Sequence, residues 1–225
     1  MNIKSITYIL GWILKIEALF MLLPIATAVV YGEAQGWAFV AACALSLGFG
    51  LFLTMRKPKK MVFYAREGFV TTALGWILMS IFGSLPFMFT GEIPRFVDAL
   101  FETVSGFTTT GSSILTDVEA LSHCSLIWRS FTHWIGGMGV FVFMLAILPM
   151  AGGSTMNLMR AESPGPQVGK IVTKMKATTR ILYLIYLGLT VLEIAVLMLD
   201  QPIPGYENEQ FFFSLLATFG CAGTG

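Results

Sequence analysis

The sequence predicts an all-α integral membrane protein, built as span–pore loop–span repeats with re-entrant pore helices and preceded by a two-helix N-terminal piece. Three observations carry that expectation. Of 225 residues, 56% are hydrophobic and 12% charged, with a mean hydropathy of +0.76. Soluble domains carry about 25% charged residues, and half that number leaves too little polar surface to cover a globule. Five apolar runs are long enough to cross a bilayer, which takes about 20 residues. Finally, a short apolar segment ending in a Thr- and Gly-rich stretch recurs 112 residues further on (Phe101 to Phe213).

The first run, roughly 5–31, begins like a secretory signal, with Lys4 ahead of it and Ala26–Ala28 at its end. Lys15 and Glu17 interrupt it, and it exceeds the roughly 7–15 apolar residues of a signal core, so it reads as a retained span. With the run at 37–55 it makes the N-terminal piece, residues 1–60. The runs at 68–90 and 125–150 flank a pore loop in a first repeat over 61–160. The run at 179–199 opens a second repeat over 161–225. The apolar segments 95–107 and 207–219 are too short to span.

Charge fixes the orientation. All but Arg95 and Arg129 of the 14 Lys and Arg lie near the N-terminus or between runs two and three and runs four and five. The remaining loops carry Glu33, Glu92, Asp98, Glu102, Asp117, Glu119, Asp200, Glu207 and Glu209. By the positive-inside rule the N-terminus and the basic loops are cytoplasmic. A net charge of +1 says nothing of nucleic-acid or acidic partners; membrane lipid is the expected surrounding, and no nucleic acid is expected. The third span then ends outside and the fourth begins outside. The segment Arg95–Ser113 starts and finishes on one face, so it lies on the surface or dips in and returns. Irregular backbone at membrane depth is tolerated only where protein buries it or where it lines a water-filled cavity.

Sliding the chain by the repeat interval lays FETVSGFTTTGSS (Phe101–Ser113) over FSLLATFGCAGTG (Phe213–Gly225). Phe101, Phe107 and Gly111 meet Phe213, Phe219 and Gly223, and Ser105 and Ser112 meet the small residues Ala217 and Thr224. An ion entering a membrane loses its water, and potassium filters replace it with backbone carbonyls. Aiming successive carbonyls at one axis requires ordinary and left-handed backbone in alternation, and glycine reaches the latter without steric cost. Threonine hydroxyls add further oxygen, so TTTG (Thr108–Gly111) suits the task. The short helix before it, about 96–107, would turn its partly negative C-terminal end toward the membrane centre, where it favours a cation. Two alternatives are a polar turn joining spans and a phosphate-cradling loop. The latter needs a nearby lysine and a helix after the glycines. Here the helix comes first, and no lysine lies between Lys60 and Lys170.

The stretches REGF (66–69), GSLPF (83–87), FETVSGFTTTGSS, HWIGGMGV (133–140), AILP (146–149) and RAESPGP (160–166) run through most of the chain. In them the sequence resembles the TrkH family of bacterial potassium uptake proteins, within the Trk/Ktr/HKT superfamily. The resemblance implies four span–pore loop–span repeats around one pore after a two-helix piece. It implies K+ as the transported ion, with no tightly bound cofactor. It places carbonyl coordination of K+ at Thr109, Thr110, Gly111 and Ser112 in the first filter and at Cys221, Ala222, Gly223 and Thr224 in the second. It also implies a bacterial inner-membrane location, a homodimer, and a cytoplasmic TrkA-like nucleotide-binding regulatory ring. With Gly225 inside the second filter, the chain is expected to be the N-terminal part of a longer protein. One glycine per repeat gives fewer carbonyl rings than a TVGYG filter, so weaker discrimination of potassium from sodium is expected. The competing expectations are a K+/Na+ or K+/H+ symporter and, from another class, a membrane-embedded enzyme. The enzyme would want clustered His, Asp or Lys at one depth, which His123 and His133 do not supply, so no enzymatic activity is expected.

Other residues stay open between roles. GGMG (Gly136–Gly139) is read as packing against the pore loop, with a hinge as the alternative. Arg129, one turn from His133, either snorkels to the interface or steadies the loop through Glu102 or Asp117. Glu102 either attracts cations or is a buried carboxylate bonded to backbone amides. Glu193 lies inside the fifth span and faces a cavity or a partner. Lys15 and Glu17 are expected to snorkel. RAESPGPQVGK (160–170) is a rigid cytoplasmic connector or a contact for the regulatory ring. Cys43, Cys124 and Cys221 are an odd set with no disulfide framework.

Overall fold

The computed structural model describes residues 3–58, 65–139, 175–200 and 209–223. Among these residues the chain forms helices and no strand. We number the helices α1 (Ile3–Phe20), α2 (Leu22–Tyr31), α3 (Gly36–Thr54), α4 (Ala65–Thr90), α5 (Phe96–Phe107), α6 (His123–Gly137), α7 (Met175–Met198) and α8 (Gln210–Gly223). Four segments are long and apolar enough to cross a membrane: Ile3–Tyr31, Gly36–Thr54, Glu67–Thr90 and Arg180–Met198. They coincide with four of the five apolar runs. Of the fourth run, α6 is described. Residues 140–150, the RAESPGPQVGK stretch and Thr224 lie outside the described residues.

The first run is broken at Met21 rather than continuous. Pro24 has no N–H for the carbonyl of Phe20, four residues back, and its ring crowds that carbonyl. α1 and α3 then meet at two glycines. A Cβ on Gly11 would stand 2.7 Å from the Gly50 carbonyl oxygen, and one on Gly50 would stand 2.8 Å from the Gly11 carbonyl. Lipid supplies no hydrophobic drive between membrane helices, so such close backbone contact is what joins them. Lys15 reaches across to Thr54 Oγ1 at 3.2 Å and lies 3.6 Å over the Trp12 ring. Glu17 does not snorkel. It is fully buried and faces Gly83 of α4, where a Cβ would come within 3.0 Å of its Oε1. Residues two apart on a helix point to different sides, so Lys15 goes outward and Glu17 inward.

α6 is the central element. It packs against α2, α5 and α8, and its Trp128 is fully buried. The Trp128 indole N–H donates to the Gly83 carbonyl at 2.9 Å, three residues before Pro86 disturbs the ladder of α4. A cluster of rings joins the parts of the chain. Phe131 meets Phe20 of α1 at 5.3 Å, Trp134 at 5.3 Å and Phe219 of α8 at 5.1 Å.

Candidate functional site

The site is built on α5, which at 12 residues is too short to cross a bilayer. Its end is set by a threonine in an unusual conformation. Thr109 has φ 55°, and Gly111 follows at φ 73°, with Thr110 between them outside that region. The Thr109 N–H donates to the Gly106 carbonyl and the Thr110 N–H to the Ser105 carbonyl, both at 2.9 Å. This is the pair of bonds that closes a helix through a left-handed residue, a place ordinarily held by glycine. A β-branched residue there is strained, and such strain persists only where the surroundings over-determine it. The Thr108 hydroxyl donates to the Val104 carbonyl at 2.7 Å and shares a hydrogen bond with the Thr110 hydroxyl at 2.8 Å. The left-handed, ordinary, left-handed alternation expected of a carbonyl filter is therefore present at Thr109–Gly111.

Beyond Gly111 the chain doubles back along α5. Glu102 Oε2 accepts the Ser113 hydroxyl at 3.0 Å and the Ile114 N–H at 3.1 Å. Its other oxygen, Oε1, takes the Arg129 Nε–H at 2.6 Å. One carboxylate thus joins the helix before the turn, the strand of chain after it, and α6. The pair is buried on the Glu102 side, so this acid is a brace, not a free cation attractor. Arg129 likewise does not snorkel.

The glycines of α6 seat both loops. A Cβ on Gly136 would stand 2.4 Å from the Phe107 carbonyl oxygen, and one on Gly137 would stand 3.0 Å from Gly223 Cα. Gly106 meets Thr132 of α6 at similarly close range. GGMG therefore packs against the first loop, as the sequence suggests, and against the second as well, which sequence reasoning missed. The signal available was the doubled glycine, one for each neighbour.

The second candidate set stands differently. Cys221, Ala222 and Gly223 form the last turn of α8, whereas α5 ends at Phe107, four residues before Gly111. The bonds that stop α5, from Thr109 and Thr110 and from Glu102 to the returning chain, have no counterpart among the described residues of α8. Cys221 of α8 lies within electrostatic reach of Glu193 of α7.

The acids that the charge pattern assigns to the outer face are also engaged. Glu33 accepts the backbone N–H of His123 at 2.8 Å and of Cys124 at 3.0 Å, and Glu92 accepts that of Ser122 at 2.7 Å and the Ser125 hydroxyl. Two carboxylates from two loops cap the N-terminus of α6, where unpaired N–H groups and the helix dipole favour negative charge. Burial pushes the Glu33 carboxyl up, but the hydrogen bonds from Cys124 and His123 outweigh it and hold it below its ordinary value. Asp117 and Glu119 remain exposed on the loop after the turn.

Four apolar segments long enough to cross a membrane, with a short helix and a Thr/Gly turn following one of them, define an all-α membrane protein. The chain belongs to the TrkH family of cation transport proteins, whose model matches residues 35–208. It is 38% identical over 196 residues to the Trk system potassium uptake protein TrkH of Escherichia coli (strain K12), covering 85% of this chain and 40% of that protein. It is 35% identical over 224 residues to the protein of the same name from Salmonella typhimurium, covering 98% of this chain and 46% of that one. Its fold matches the crystal structure of the potassium transporter TrkH from Vibrio parahaemolyticus with a TM-score of 0.75 at 29% identity, over 97% of this chain and 42% of that one. The chain thus spans less than half the length of these relatives.

Proposed function

We propose that this chain supplies one side of a potassium-conducting pore. In it the carbonyls of Thr109, Thr110, Gly111 and Ser112 replace the water of a passing K+, and Cys221, Ala222, Gly223 and Thr224 belong to a second filter segment. The observation that carries the proposal is the Thr109–Gly111 turn, left-handed at both ends and locked between α5 and α6 by Glu102 and Arg129. Residues Thr110–Ser113 are exposed along this chain, and at membrane depth such backbone belongs against a water-filled cavity. Remaining repeats of a longer protein would complete the ring. The named relatives support potassium as the ion, so K+ is the cargo. The charge pattern supports a multi-pass protein of the bacterial inner membrane with a cytoplasmic N-terminus. The relatives belong to a Trk system, which supports protein partners; we assign these as a second copy of the chain and a TrkA-like nucleotide-binding ring on the cytoplasmic face.

The test is potassium uptake by the full-length protein in cells that lack other uptake routes. Gly111→Arg is expected to abolish uptake and Gly111→Ser to lower its preference for K+ over Na+, with membrane insertion intact. A well-inserted Gly111→Arg protein with unchanged uptake would overturn the filter assignment.

A further inference from the structure

We propose that His123 is a positioning residue for the second pore helix: in its protonated form it ties Glu209, at the start of α8, to Glu33 on the N-terminal piece, so that external acid tightens the seat of α8. The inference rests on the pore reading for its consequence in transport, but its geometry stands alone. His123 Nδ1 lies 2.8 Å from Glu33 Oε1, and Nε2 lies 3.3 Å from Glu209 Oε2. An ionised carboxylate only accepts hydrogen bonds, and a neutral imidazole has a single N–H to donate. Neutral His123 therefore satisfies one acid and turns a lone pair toward the other, whereas the imidazolium donates to both.

The two links are not equivalent. Glu33 is already fixed to α6 by the N–H groups of His123 and Cys124, and those bonds persist whatever the charge on the ring. Glu209 has the longer contact and no other described partner, so the link to α8 is the one that depends on the ring's second N–H. The ring is held flat for it. Tyr31 stacks on His123 at 4.0 Å and 7°, and Phe212 of α8 meets it edge-on at 5.0 Å. Aromatic faces also favour a cation. The titratable groups around the ring are Tyr31 from α2, Glu33 from the turn after it, Glu92 at the neighbouring Ser122 N–H, Cys124 on α6 itself, and Glu209.

α8 has no charged side chain within Gln210–Gly223, so Glu209 is its handle on the outer side, beside the bonds of Gln210 to the Met198 and Asp200 carbonyls. A helix is stiff, rising about 1.5 Å per residue. A shift at its start is therefore carried to Cys221–Gly223 at its end.

The experiment uses the full-length protein, unchanged and as His123→Gln and Glu209→Gln, between about pH 5.5 and pH 8, the window in which histidine changes charge. Two readings are taken. One is hydrogen exchange at the first turns of α8, corrected for the intrinsic effect of pH. The other is potassium uptake with its K+ over Na+ preference. In the unchanged protein, α8 protection is expected to rise severalfold as pH falls, and the ion preference to move with it. Both Gln variants should flatten the two profiles. Equal pH dependence of α8 protection in all three proteins would overturn the proposal, and so would an α8 that loosens in acid. A pH-dependent α8 that flattens in the variants, in a protein that moves no potassium, would uphold the tie and overturn the pore reading instead.

Discussion

α5 and α8 occupy corresponding places in the repeat and lie against the same helix, yet different chemistry holds them. Glu102 of α5 pairs with Arg129 and accepts two bonds from the returning chain. The residue 112 positions on is Ser214, which offers no charge. α8 leans instead on rings, with Phe219 at 5.1 Å from Phe131 and 5.7 Å from Trp134, and Phe212 beside Tyr31 and His123. The lesson is that two segments aligned by their phenylalanines and glycines are each fastened in their own way. An ion brace fixes the turn itself. An aromatic seat fixes the helix body and leaves its outer end to a histidine.

The comparison breaks first at the brace. Glu102→Ala leaves Arg129 half-buried without its partner, and removing one member of a buried pair costs about 3–5 kcal/mol; the partial exposure of Arg129 favours the lower end. Ser214→Ala should stay within about 1 kcal/mol. Thermal unfolding of the two variants, side by side, measures the gap, and equal losses would mean the two helices are held alike.

Gly136→Ala is expected to follow at about 1–3 kcal/mol, the usual range for overpacking, because its methyl group meets a carbonyl of the first turn. Uptake by the full-length protein should fall more than its stability suggests, since the displaced atom belongs to Phe107, next to the proposed filter. Uptake at the unchanged rate would separate α6 from the filter.

A third expected effect concerns the cap of α6. Glu33→Gln should cost about 1 kcal/mol. Because the Glu33 carboxyl is held below its ordinary 4.5, its contribution is complete above that pH and is lost as pH falls through the lowered value. The stability difference between the unchanged protein and the Glu33→Gln variant should therefore shrink as pH falls below 4.5 and vanish once it has passed through the lowered value. A difference that persists there would assign the effect to packing.

The smallest effect has the opposite sign. Thr109→Gly relieves a left-handed β-branched residue and should gain about 1 kcal/mol, after the entropy that glycine loses on folding. A loss would show that the Thr109 side chain, packed toward Gly136, matters more than its backbone strain.

Much of the fold was legible in the chain. Apolar runs long enough to span follow from solvation alone, because lipid excludes charge and unpaired backbone wherever they fall in the sequence. The turn at Thr108–Gly111 was legible for the same kind of reason, since a left-handed step after a helix is written in local residue types. The outer acids show where that legibility ended. In sequence they mark only one face of the membrane, with Glu102 open between attracting cations and bonding backbone, and the fold puts Glu33, Glu92 and Glu102 on helix ends and on Arg129. The inward turn of Glu17 and the break at Met21 lay at the margin, one hidden by an expectation of snorkelling and the other visible in Pro24.

The sequence by itself determined the class of protein, the number of apolar runs and the position of the turn, since each depends on the chemistry of neighbouring residues along the chain. Only the tertiary structure decided that Glu102 braces the turn, that Gly136 and Gly137 seat one loop each, and that His123 stands between Glu33 and Glu209. The physical reason is that a hydrogen bond or a close backbone contact depends on distances of a few ångströms between residues tens of positions apart, and those distances exist only once the helices have packed.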